Sequence, residues 1–159
     1  MNRVVELIKY ILKTYPNPEE LSKPRLVKLV YLIDWKYAIE NNSPFTNIKW
    51  LYNHYGPYVD DVINTMRDNP DIFEVKSYKN PYGGTTDKFH LVNENIDTCL
   101  NQNVKEIADF IANNTSDLYW SKFISIVYST YPVKKSLKYS YLDLKIFAGE
   151  FNKLNSEKK

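Results

Sequence analysis

Cysteine is nearly missing. Cys99 stands alone among 159 residues, which excludes an intramolecular disulfide and a cysteine cage for zinc, and suits a reducing compartment. Histidine is scarce too. His54 and His90 cannot complete a metal site by themselves, and recruiting Asp60 and Asp61 would demand a joint of special geometry. Of the four glycines, the adjacent Gly83 and Gly84 fall between two β-rich runs, not between a strand and a helix, so no phosphate-cradling loop is present. No serine sits in a Gly-x-Ser-x-Gly elbow, and nothing around Cys99 marks a nucleophile. No apolar run approaches the ~20 residues of a membrane span. Arg3, Glu6, Lys9 and Lys13 interrupt the apolar positions of the first segment, unlike the core of a secretory signal. These absences lead us to expect a cytoplasmic protein without catalytic centre, cofactor or metal, and with no membrane partner.

Charge is nearly balanced, at +2, but unevenly placed. Residues 133–159 hold seven lysines against three acids, so the basic excess belongs to the C-terminal part. We expect a single domain over residues 1–155 and a disordered basic tail over 156–159. What the chain has in quantity is tyrosine, 14 residues, a side chain suited to wet core edges and to interaction surfaces alike.

Val4, Leu7, Ile8, Ile11 and Leu12 recur at helical spacing and predict a first helix, stopped by "YPNPEE". Ser22 and Pro24 are suited to open a second, carrying Leu26, Leu29, Val30, Ile33 and Tyr37 and ending near Ile39. After the loop "NNSPFTN", Ile48 to Tyr52 predicts a strand. Gly56-Pro57 reads as a strand-to-helix joint, with Pro57 at the first helical position and Asp60 and Asp61 in the first turn of a helix reaching Asn69. "IFEVKSYKNPYGGTTDKFHLV" predicts a hairpin with a long turn, the only clear hairpin in the chain. Asn103 and Glu106 are spaced for a capping box ahead of the next helix. A further helix over Asp117 to Thr130 is broken by Pro132, "VKKSLKYS" forms a basic loop, and Leu144, Phe147, Phe151 and Leu154 mark a last helix. The expected fold is mainly α with a small β component: one compact domain of about six helices plus a β-hairpin.

Residues 28 to 62, "KLVYLIDWKYAIENNSPFTNIKWLYNHYGPYVDDV", resemble the core signature of the Panacea domain, the SocA-like antitoxin family also seen in phage-associated proteins. Lys28 to Asp34 match its helix motif, Ser43 to Thr46 its loop, and Tyr55 to Val59 its "yGPvv" step. Trp35 replaces a small residue, and Trp50, Tyr52 and Tyr55 make the strand unusually aromatic. The resemblance implies a protein that neutralises a neighbouring toxin by direct binding, by occlusion or by delivery to a protease system. It marks Lys28, Tyr31, Asp34, Gly56 and Pro57 as structural motif positions, to which we add Trp50 as an expected structural anchor.

Two other readings carry weight. Three helices and a hairpin form the element order of a winged-helix DNA binder, but Asp60, Asp61 and Asp68 on the would-be recognition helix oppose phosphate, leaving Lys134, Lys135 and Lys138 as the basic contacts; direct nucleic-acid binding is not expected. Asp60 or Asp61 followed by Glu74-Val75-Lys76 mimics a metal-dependent nuclease, although a charged surface strand explains Glu74 and Lys76 as well. For a partner-binding site we expect Tyr52, Tyr55 and Tyr58 at the toxin surface, with Trp50 anchoring the core, because strand alternation cannot turn all of them inward.

Overall fold

The computed structural model describes residues 1–158, and its organising element is a helix whose central stretch is buried. This is α2 (Lys23–Asn41), in which every residue from Leu26 to Trp35 is buried. Ser22 caps it by accepting a hydrogen bond from the Arg25 N–H, Pro24 lies in its first turn, and Asn42 ends it in the left-handed conformation. A helix apolar around its whole circumference needs neighbours all round. Those neighbours include α4 (Gln102–Thr115), α7 (Leu144–Glu157) and a three-stranded sheet. α1 (Arg3–Thr14) packs beside α4, against α3 (Asp61–Arg67) and against the hairpin of β3 (Phe73–Lys79) and β4 (Thr85–Leu91). Glu6 and Lys9, the charges in its apolar stripe, pair at 2.9 Å, and the second Glu6 oxygen accepts from the Cys99 N–H. With α5 (Trp120–Tyr128) and α6 (Tyr131–Lys135), seven α-helices lie among the described residues, in one compact, mostly helical domain with small antiparallel sheets.

The sheet corrects the reading of the Gly-Pro step. β1 (Trp50–Asn53) turns at His54 and Tyr55 into β2 (Gly56–Tyr58), and β5 (Tyr141–Leu142) pairs with the other side of β1. Gly56 and Pro57 therefore lie in a strand, in a second hairpin, and α3 begins only at Asp61. Tyr52 spends both backbone groups on the far side, donating to Ser140 O and accepting from Tyr139 N. Its pairing with Pro57 thus belongs to the non-hydrogen-bonded kind, and the proline nitrogen faces outward, where no ladder bond is lost. Asp61 occupies the first turn of α3, as expected; Asp60 precedes it without capping through its side chain.

Gly56 has φ +97°, while neither turn residue has positive φ, so the left-handed position of this hairpin falls on the glycine. A Cβ there would lie 3.7 Å from Lys28 Cε and Tyr128 Cζ, an ordinary contact, so the cost of substitution is conformational. Gly56→Val should destabilise the fold by ~1–3 kcal/mol. An unchanged melting midpoint in the purified variant would refute this.

Other departures are local. Asn101, not Asn103, caps α4, accepting from Val104 N; Asn103 bonds Asn41 instead. Helix α5 is shorter than expected, and Pro132 lies in the first turn of α6, so that Val133 to Lys135 are helical, not part of a basic loop. The tail expected from residue 156 begins inside the last turn of α7, and Lys159 lies outside the described residues.

Candidate functional site: an aromatic groove over a buried lysine

Along α2, Lys28, Tyr31 and Asp34 recur every third residue, and all three meet the β1–β2 hairpin and its surroundings. Asp34 is fully buried and accepts from Thr46 N at 2.8 Å, from the Trp50 indole N–H at 2.9 Å and from the Thr46 hydroxyl. Burial pushes its carboxyl above the ordinary range, and these donors oppose the shift. Tyr31 meets Trp50 edge-on, with centroids 5.5 Å apart, and its hydroxyl bonds the Thr130 hydroxyl at 2.8 Å. Asp34 and Tyr31 thus fix the loop before β1 and the indole of Trp50, which is buried in the core.

Lys28 is treated differently. Only 2% of its surface is exposed, yet among the described residues no carboxylate lies within 4 Å of its ammonium and no hydrogen bond reaches it. Its nearest favourable contact is the face of Tyr58, 5.6 Å from Nζ to the ring centroid. Burial lowers its pKa from 10.5 to about 8. The side chain lies beneath Gly56 and opens into a groove of about 740 Å³ between the β1–β2 hairpin and α5.

The groove is walled by His54, Tyr55 and Tyr58 on one side and by Trp120, Ile124 and Tyr128 on the other, with Lys23 and Pro24 also contributing to its lining. Among the described residues, no acidic side chain lines it. Of the tyrosines expected at a partner surface, Tyr55 is 76% exposed at the hairpin tip and Tyr58 is half-buried in the wall. Tyr52 differs: it stands behind the wall, half-buried, its ring 6.3 Å from that of Tyr128. Trp120, Tyr128 and His54 had not been singled out as binding residues, because nothing in the sequence joins α5 to a hairpin some seventy residues earlier. Tyr139 was missed as well. It holds φ 71°, uncommon for a bulky residue, while its hydroxyl bonds His54 Nδ1 at 2.8 Å and its N–H bonds Tyr52 O, bracing the hairpin tip.

Glu74 pairs with Lys76 on the exposed face of β3, and among the described residues no three His, Cys, Asp or Glu side chains gather as metal ligands. No helix among them is long and apolar enough to cross a membrane.

The model of the antitoxin SocA-like Panacea domain matches residues 26–132, well over half of the chain. The chain belongs to this family. No curated protein and no solved structure matches it. The matched Panacea segment runs from the start of the buried part of α2 to Pro132, so it contains Lys28, Tyr31, Asp34, both walls of the groove and the whole β1–β2 hairpin. Tyr139 and β5 lie beyond the matched Panacea segment.

Proposed function

We propose that this Panacea domain is an antitoxin that binds a cognate toxin encoded beside it in a bacterial or phage-derived module, and that the groove between the β1–β2 hairpin and α5 is its binding face. On this reading the protein acts in the cytoplasm by protein binding, without chemistry of its own. The observation that carries it is the composition of the groove: exposed and half-exposed aromatic walls around an ammonium that has no internal partner. Clustered tyrosine and tryptophan at a concave surface supply large contact area at small entropic cost, as at protein-binding hot spots. Tyr55 and Tyr58 contact the toxin directly, and Tyr52 supports Tyr128 from behind.

Tyr55→Ala and Tyr58→Ala should each weaken toxin binding by ~1–3 kcal/mol; Tyr55 is exposed, so its variant should melt like the wild type, whereas Tyr58 is half-buried against the core and its variant should lose a little stability besides. The check is growth rescue from the neighbouring toxin, paired with affinity and thermal melts of each variant. If both variants fold and both rescue fully, the interface lies elsewhere.

A further inference from the structure

Within its buried run α2 carries one basic and one acidic side chain, Lys28 and Asp34, and the fold treats them oppositely. Asp34 has three donors; Lys28 has none of the acceptors an ammonium requires. Among the described residues no fully buried side-chain nitrogen or oxygen lacks a partner, so the Lys28 ammonium, which has no internal acceptor, turns its donors to the groove; a partly desolvated ammonium there is stabilised when a counter-charge arrives. Internal relief is blocked by placement. The groove over Lys28 is lined by a second amine, Lys23, and, among the described residues, by no carboxylate, so its electrostatic complement is an anion. Its walls are aromatic and aliphatic, so that anion must arrive beside apolar surface. The ammonium is a compact donor on a flexible stem and does not select a planar bidentate partner as a guanidinium would.

Resting on the reading of this groove as the toxin-binding face, we propose that Lys28 receives an acidic side chain, Asp or Glu, that the toxin inserts between the hairpin wall and α5 together with an adjoining apolar residue. Tyr58 then lies against the ion pair instead of serving as the ammonium's sole favourable contact. The pair is shielded from water once the toxin covers the groove, so it discriminates between toxins that present an acid at this point and toxins that do not.

Lys28→Met keeps the length and apolar stem of the lysine and removes the charge. It should fold, with a melting midpoint at or above that of the wild type, and bind the purified toxin at least ~10-fold more weakly, the loss expected for one desolvated ion pair. pH supplies a second signature. Burial holds the unbound lysine at about 8, and a carboxylate partner raises it, so binding takes up a proton above that value. The part of the affinity that Lys28 supplies should be flat below pH 8 and fall above it, and Lys28→Met should remove that part of the fall. Lys23, His54, Tyr55, Tyr58 and Tyr128 share the groove, and the difference between wild type and Lys28→Met cancels their contributions. In the genetic arm, Lys28→Glu should abolish growth rescue, and toxin variants that restore it should replace an Asp or Glu with a neutral or basic residue. Wild-type affinity in Lys28→Met, a high-pH fall of undiminished size in that variant, or restoring variants at no acidic position would each overturn the inference. If Tyr55→Ala and Tyr58→Ala weaken binding while Lys28→Met does not, the binding face stands and only the role of Lys28 falls; if all three bind normally, both fall.

Discussion

Asp34→Ala should lower stability by ~3–5 kcal/mol, a loss that would move the thermal midpoint by on the order of 10 °C in a chain of this size. The substitution leaves the Trp50 indole N–H and the Thr46 backbone N–H without acceptors in the interior, and each such orphan costs about 1–3 kcal/mol. It also releases the loop that delivers the chain into β1. Asp34→Asn separates these effects: one oxygen still accepts, but an amide N–H₂ now faces a donor, so an intermediate loss is expected. The pH dependence has a definite sign. Burial holds the Asp34 carboxyl above the ordinary range despite its hydrogen bonds, so the folded state binds this proton more tightly than the unfolded chain. The stability attributable to the group therefore falls as pH rises from the unfolded value through the folded one. Thermal melts of both variants at several pH values test these expectations. A midpoint for Asp34→Ala within a degree or two of wild type would show that the three bonds carry no net weight.

Trp50→Ala should be comparably severe, ~3–5 kcal/mol, because it empties a large volume at the junction of α2 and the sheet and removes the edge contact with Tyr31. Trp50→Phe keeps much of the ring packing and deletes only the donor, and it should cost about 1–2 kcal/mol. Since Trp50 and Asp34 share a hydrogen bond, their losses should fall short of additive in the double variant. Denaturant titration of the two single variants and the double variant measures the coupling. Full additivity would mean that the bond contributes nothing and that Trp50 acts through packing alone.

The helices were legible where local pattern and burial agree. The Ser22 cap, the Pro24 start and the stripe of α1 are properties of a dozen neighbouring residues, and the long-turn hairpin β3–β4 alternates plainly. The β1–β2 hairpin was misread because Gly-Pro is as much at home before a helix as in an edge strand; what decides is the pairing of Tyr52 with Ser140 and Tyr139, contacts across almost ninety residues. β5 escaped for the same reason, since two residues carry no period. In the candidate site, the tyrosines of the hairpin could be suspected from strand alternation. Trp120, Ile124 and Tyr128 could not, because on α5 they look like one apolar helix face. Lys28 offered a signal that local pattern undervalues: a lone cation within "LVKLVYLID", on the stretch of helix that tertiary packing buries.

The placement of Pro57 bears on solubility. A surface rich in exposed tyrosine, set on a small sheet, is a hazard whenever its outermost strand offers a continuous row of backbone donors and acceptors to a second molecule. Here that strand is three residues long, and its middle residue turns a nitrogen without hydrogen toward solvent. At the opposite margin β5 is only two residues long, and α7 begins just beyond it. Strand addition by another copy of the chain therefore finds only a short ladder to extend at either margin of this sheet, the one that carries the aromatic hairpin.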